Sequence, residues 1–252
     1  MKEYNITNKV KVFLFENTMV ITSLINNNKA ILIDCGMMDE AKALKEKLNK
    51  NGIQVVGIIF THYHPDHVVG ANLFENVDLI CNSRYENDYI CFSKEFKNEF
   101  NFLKPTKIID EGEIKLNGFN IKIINGEGHC KSSSIILINN EIIITGDLMM
   151  QTNEGKPCIP GLCSDGSVFS HIRSLEEIIK LNPKYLIMGH GEPILNKQDI
   201  NIEIEKRLDY LYKIKNSNGN IKLEDCINEN LDEWELKRAH DLNLNVYRNE
   251  LK

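Results

Sequence analysis

The chain of 252 residues is about 1.7 times a typical 150-residue domain, so one large domain or a domain with an appendage is expected. Hydrophobic residues make up 42%, which excludes disorder as the overall class. Thirty Lys and Arg against 36 Asp and Glu leave a net charge of −6, and the stretch from Asn201 onward is no more basic, so nucleic acid is not an expected partner.

Met1-Lys2-Glu3-Tyr4-Asn5 leads into polar residues rather than a signal-type apolar segment. No run approaches the roughly 18 apolar residues of a bilayer helix. A cytoplasmic protein without membrane contact is expected. The seven cysteines (35, 81, 91, 130, 158, 163 and 226) are scattered and form no C-x-x-C pair, which points to free thiols rather than a disulfide framework or a zinc knuckle.

In chain order, the apolar runs Val10 to Phe15, Met19 to Ile25 and Ala30 to Ile33 are short, rich in β-branched or aromatic residues, and separated by polar breaks; they predict a β-meander. Ala41, Leu44 and Leu48 recur at helical spacing before the Asn51-Gly52 stop, and Val55 to Phe60 is a strand buried on both faces. A short helix, a strand and a helix follow over 67 to 103. A second set of strands is predicted near 106–110, 119–125, 134–138 and 142–145, then a helix near 168–181 and the strand Tyr185 to Met188. Two strand-rich halves, each with helices, predict an α/β fold, a four-layer αββα sandwich over residues 1–195.

After Pro193 the sequence becomes charged and helix-forming. Ile202, Ile204, Leu208, Leu211 and Tyr212 make an amphipathic stripe, and further helices are predicted near 222–230 and 233–251. Residues 196–252 therefore read as a helical appendage. It is too small to hold a core of its own, so its apolar face is expected against the sandwich or against a second copy in a homodimer.

The chemistry concentrates in Thr61-His62-Tyr63-His64-Pro65-Asp66-His67, the loop that follows the buried strand. With only seven histidines in the chain, a chance H-x-H-x-D-H is expected on the order of a few times in ten thousand such chains. Imidazole nitrogen and carboxylate oxygen suit zinc and also divalent iron or manganese. Alternate residues of an extended loop point the same way, so His62 and His64 can share an ion, while Asp66 and His67, beyond the Pro65 bend, can serve a second. Three further candidates stand at strand ends beside glycine: His129 after Gly128, Asp147 after Gly146, and His190 between Gly189 and Gly191. His171 and His240 lie in helical contexts and read as ordinary structural histidines, so that His171→Ala is expected to be nearly silent. Cys130 reads as a packing residue, and Lys156 as a solvated lysine.

In order and type these residues resemble the metallo-β-lactamase superfamily of metal-dependent hydrolases, over roughly residues 10 to 195. The resemblance implies two divalent ions, zinc or else iron or manganese, with His62, His64 and His129 on one, Asp66, His67 and His190 on the other, and Asp147 bridging. It implies a bridging hydroxide that attacks an ester-type bond of a small-molecule substrate, a thioester or another carboxylic or phosphoric ester, with Asp66 and Asp147 placed to handle the proton. Asp34, in Asp34-Cys35-Gly36, resembles the carboxylate that orients a ligand from behind. After His129 the run Cys130-Lys131-Ser132-Ser133-Ser134 departs from the family pattern, as does Gly70-Ala71-Asn72 where the family has G-G-N.

The departures bear on substrate. Lactonases of the superfamily use a Tyr between the bridging Asp and the last His, and no Tyr lies between Tyr89 and Tyr185. The loop marking glyoxalase II enzymes is replaced by Gln151-Thr152-Asn153-Glu154-Gly155-Lys156-Pro157-Cys158. Two other readings stand beside an ester hydrolase: an iron-dependent oxidoreductase resembling persulfide dioxygenases, which share H-x-H-x-D-H, and a hydrolase of RNA or other phosphodiesters.

Overall fold

The computed structural model describes residues 1–227 and 230–252. It holds two sheets. Seven strands line up in chain order: β1 (Lys2–Asn5), β2 (Val10–Leu14), β3 (Val20–Asn26), β4 (Lys29–Ile33), β5 (Gln54–Ile59), β6 (Asp78–Cys81) and β7 (Lys107–Ile108). The other five are β8 (Gly112–Leu116), β9 (Phe119–Asn125), β10 (Ser134–Ile138), β11 (Ile142–Ile144) and β12 (Tyr185–Ile187), in the order β12-β11-β10-β9-β8. By its internal contacts the chain divides into two compact units, residues 1–124 with 136–139, and residues 125–135 with 140–252.

In the first unit β1 to β4 run antiparallel, as the meander predicts, and β4 to β7 run parallel. The change of direction is made by helix α1 (Met38–Lys50), which packs Ala41, Leu44 and Leu48 inward. Ile58 and Ile59 at the end of β5 are both buried, so the strand tip lies inside the protein on both faces and its following loop is delivered from a rigid base. Phe13, Ile21, Leu32, Leu44, Ile58 and Phe60 lie in one core cluster. Helix α2 (Pro65–Val68) begins on Pro65, whose fixed φ suits the first helical turn, and α3 (Glu86–Glu95) follows β6. Two strands escape the sequence reading. β1 is polar and half exposed, and β8 has exposed Glu113 and Lys115 between half-buried Ile114 and Leu116; neither carries a strong apolar signal.

In the second unit β11 and β12 pair in parallel, Ile142 opposite Tyr185 and Ile144 opposite Ile187. Between them runs α4 (Val168–Leu181), started by the Ser167 hydroxyl accepting from the Ser170 N–H and ended at Asn182 in the left-handed region. Helix α5 (Lys197–Asn216) packs on α4 and β12, and α7 (Ala239–Glu250) packs on α4 and α5. Thus Ile204, Leu208 and Leu211 of the amphipathic stripe are buried within their own unit, Tyr212 is half-buried, and Ile202 is exposed. The predicted helix over 222–230 is a single turn, α6 (Leu223–Cys226), and its remainder falls partly on residues 228 and 229, outside the described residues. The helix predicted from 233 starts only at Ala239. Before it, the Glu235 N–H donates to Pro157 C=O and Glu235 C=O accepts from the Ile159 N–H, so the segment is held extended as a short bridge. Among the described residues no helix is long and apolar enough to cross a membrane.

Candidate metal centre

Beyond β5, Asp34 anchors the His-rich loop. It adopts φ +60°, and its carboxylate accepts from the Thr61 N–H (2.7 Å), the Thr61 hydroxyl (2.7 Å) and His67 Nδ1 (2.8 Å). Since the Thr61 hydroxyl proton goes to Asp34, Thr61 Oγ1 is left to accept from His62 Nδ1 at 3.1 Å. Both imidazoles therefore carry their proton on Nδ1 and a lone pair on Nε2. That is the tautomer a metal ligand needs, with the outer nitrogen tied to an acceptor. His67 is also held through its backbone, whose carbonyl accepts from the Cys35 N–H at 3.0 Å.

His62 and His67 are buried, with ring centroids 4.0 Å apart, and His62 and His64 stand 4.4 Å apart. Asp66 Oδ2 lies 3.9 Å from His67 Nε2, close to the roughly 3.3 Å that separates two donors on one tetrahedral ion with bonds of about 2.0 Å. Ligand atoms of His62 and His64 lie within 4.8 Å of one another, and so do those of Asp66 and His67. Helix α3 adds two residues that sequence reasoning did not single out: a carboxylate oxygen of buried Asp88 comes within 4.8 Å of a His64 nitrogen, and Phe92 packs edge-on to the His64 ring at 5.4 Å.

In the second unit the three strand-end residues converge on one carboxylate. Asp147 Oδ2 faces His129 Nε2 at 3.8 Å and Asp147 Oδ1 faces His190 Nε2 at 3.6 Å. Asp147 sits in a 3₁₀ turn, Gly146–Leu148, fastened by the Gly189 N–H to Gly146 C=O at 2.9 Å. Met150 bridges to His190 beside it. His129 Nδ1 donates to the carbonyl of Gly161, which again leaves the lone pair on Nε2. A backbone carbonyl carries no residue letter, so this partner was not readable from the sequence.

His171 is the structural histidine that its helical context predicts. It is fully buried, and its Nε2 donates to Leu148 C=O at 2.8 Å, one residue beyond Asp147. Burial pushes its pKa down from 6.5 to about 3, so the ring stays neutral. Gly128, with φ +156°, fits against it: a Cβ there would stand 2.6 Å from His171 Cα. His171 therefore supports the turns that carry His129 and Asp147. Cys130 is buried with its thiol against the Ser132 and Ser133 hydroxyls, in keeping with packing, and Lys156 is exposed.

The model of the family described as "Metallo-beta-lactamase superfamily" matches residues 12–190. The chain belongs to the metallo-β-lactamase superfamily. It is 30% identical over 183 residues to a "Probable metallo-hydrolase" of Methanocaldococcus jannaschii, covering 67% of this chain and 86% of that one. It is 25% identical over 233 residues to another "Probable metallo-hydrolase", of Bacillus subtilis, covering 75% and 72%. Among solved structures, an inverting sec-alkylsulfatase from Pseudomonas sp. shares the fold with a TM-score of 0.78 at 12% identity, over 98% of this chain; the chain spans half the length of that enzyme. A metallo-beta-lactamase from Pontibacter korlensis gives 0.65 at 16% identity, over 82% and 98%. The superfamily's α/β sandwich, with helices added at the C-terminal end, is the fold of this chain, and the family and its metallo-hydrolase relatives support a metal-dependent hydrolase.

Proposed function

We propose that the protein is a dinuclear hydrolase of ester-type bonds. His62, His64 and His129 would hold one divalent ion, Asp66, His67 and His190 the other, and Asp147 would bridge them; residues 1–195 carry this chemistry and 196–252 support it. The observation that carries the reading is Asp147, whose two oxygens face two different imidazoles, His129 and His190. A carboxylate serving one ion has no need of a histidine on each oxygen.

The donor set fits the ions. Nε2 of His62, His67 and His129 is a lone pair by the hydrogen bonds of the opposite nitrogen, and imidazole with carboxylate favours zinc among common cations while admitting iron and manganese. When bound, the ions would lower the pKa of a water toward neutrality and polarise the scissile oxygen. Asp66, partly exposed beside His67, is the residue we assign to accept the proton released as the ester is attacked. Asp34 and Thr61 keep the imidazoles from turning. A scattered set of cysteines without a C-x-x-C pair supports a cytoplasmic setting.

Elemental analysis after remetallation, paired with assays on thioester, lactone, phosphodiester and β-lactam substrates, tests the proposal. Two ions per chain with turnover of a thioester or phosphodiester is expected. One ion per chain in excess zinc, iron and manganese would remove the dinuclear reading, and oxygen consumption with iron in place of hydrolysis would replace it with a dioxygenase.

A further inference from the structure

The carbonyl that fixes His129 is itself fixed from the C-terminal helix. Asn243 in α7 is fully buried. Its Nδ2 donates to Pro160 C=O at 2.6 Å and its Oδ1 accepts from the Leu162 N–H at 3.1 Å. Gly161 lies between these two residues. Its carbonyl and the Leu162 N–H belong to one peptide unit, and in a trans peptide they point in opposite directions. Asn243 and His129 therefore grip the same plane from its two sides: Asn243 Oδ1 takes the N–H, and the carbonyl takes the proton of His129 Nδ1. Each bond polarises the peptide toward making the other stronger.

The orientation of the Asn243 amide is determined by its surroundings. Ile221 C=O can only accept, so His240 Nε2, 3.1 Å away, carries the proton and His240 Nδ1 is an acceptor. Tyr210 then donates its hydroxyl to His240 Nδ1 at 2.9 Å, and the Tyr210 oxygen accepts from Asn243 Nδ2 at 2.9 Å. With Nδ2 committed to Tyr210 and Pro160, Oδ1 must face Leu162. Three appendage side chains thus set the direction of a hydrogen bond that ends on a candidate metal ligand.

We infer that Asn243 is a positioning residue for His129, holding the Gly161–Leu162 peptide so that the imidazole presents Nε2 to the metal. The inference rests on the reading of His129 as a ligand. It gives the helical appendage a role in the metal centre itself.

The test is zinc affinity of the full-length chain, measured by competition with a chromophoric chelator, for wild type, Asn243→Ala, Asn243→Ser and Tyr247→Phe. Tyr247 lies on the same helix and donates to Lys215 C=O at 3.0 Å, away from the 160–162 loop, so Tyr247→Phe controls for loss of one appendage hydrogen bond. The weaker-binding zinc is expected to be lost 10- to 100-fold more readily from both Asn243 variants, and not from Tyr247→Phe at comparable melting temperature. Equal affinity in all four proteins would overturn the inference, as would equal losses in all three variants. Wild type that fails to bind zinc would instead overturn the functional reading. Two measurements on the wild type stand even where the variants do not fold: imidazole ¹⁵N shifts should show His129 protonated on Nδ1, and the Leu162 amide should exchange slowly. An Nε2-protonated His129 or a freely exchanging Leu162 in the metal-free chain would sink the proposal.

Discussion

Asp34 Oδ2 stands 2.8 Å from His67 Nδ1 across 33 positions of sequence. The same carboxylate also takes the Thr61 N–H and hydroxyl, so one buried group orients His67 directly and His62 through Thr61. Removing it frees two imidazoles at once. Asp34→Ala is expected to weaken metal binding by 100-fold or more, and Asp34→Asn by about 10- to 100-fold, since the amide can still accept one of the bonds. Chelator competition on the folded variants measures this; affinities within twofold of wild type would show that the Asp34 contacts do not support the metals.

Asp147→Ala should abolish hydrolysis of whichever substrate proves active and lower zinc content below one ion per chain, because each Asp147 oxygen faces a different imidazole. Asp66→Asn should spare binding more than turnover if Asp66 handles the proton, reducing kcat with little change in KM. Retention of two tightly held ions by Asp147→Ala would contradict a bridging role.

What was legible in the sequence, and what was not, follows the same division between side chain and backbone. Strand 134–138 and helix 168–181 are read to the residue, because their ends carry local chemistry: Asn139 and Asn140 turn with φ near +51° and +58°, Ser167 caps the helix start, and Asn182 its end. The candidate ligands are likewise letters beside glycines. By contrast, what holds His129 is the carbonyl of Gly161, and Asn243 is one asparagine in a chain rich in them. The late start of α7 was hidden because helical periodicity cannot register that Glu235 pairs with Pro157 and Ile159.

Gly70 is expected to tolerate no side chain. A Cβ there would lie 2.4 Å from Cys35 O and 2.6 Å from Ala41 Cβ, and the Gly70 N–H donates to Gly36 C=O at 2.8 Å. The obstacle is backbone from the Asp34-Cys35-Gly36 turn, which cannot swing aside as a flexible side chain would. Gly70→Ala should therefore cost about 1–3 kcal/mol and displace Asp34 from His67. Urea denaturation and zinc affinity measured together would show both; a midpoint equal to wild type would mean that the turn yields freely.

His171 makes the fold sensitive to acid. In the folded chain it stays neutral down to about pH 3, whereas once unfolded it titrates near 6.5. Between those values only the unfolded chain takes up the proton, so stability contributed at neutral pH is lost as pH falls from about 6.5 toward 3. His171→Gln should be less stable than wild type at pH 7.5, by about 1–3 kcal/mol for a disturbed buried hydrogen bond, and should lose less on moving to pH 5. Denaturation of the two metal-free proteins at both pH values decides it: parallel losses would show that His171 does not titrate on unfolding.

Truncation after Pro193 puts the appendage to its hardest test. All seven candidate ligands, the last being His190, remain in the shortened chain, so a protein built from independent modules would keep its metals. The structure argues otherwise. Fully buried Arg207 donates through one guanidinium nitrogen to Met150 C=O at 2.7 Å and through another to Glu203 at 2.8 Å, and Met150 is the residue that bridges to His190. Asn243 holds Pro160 and Leu162, and Glu250 accepts from the Val168 N–H at 2.9 Å. Cutting the appendage away would strand the Pro160 carbonyl and the Leu162 N–H, each costing about 1–3 kcal/mol where it stays out of reach of water, and would take from the Met150 carbonyl the Arg207 donor, leaving it the Cys158 N–H at 3.1 Å. It would also expose the apolar surface that Ile204, Leu208 and Leu211 cover. The truncated chain is expected to be insoluble or, where it can be kept in solution, to bind zinc at least tenfold more weakly than the full chain. A soluble fragment with two tightly bound ions and full turnover would show that the 150–163 loop keeps its shape unaided.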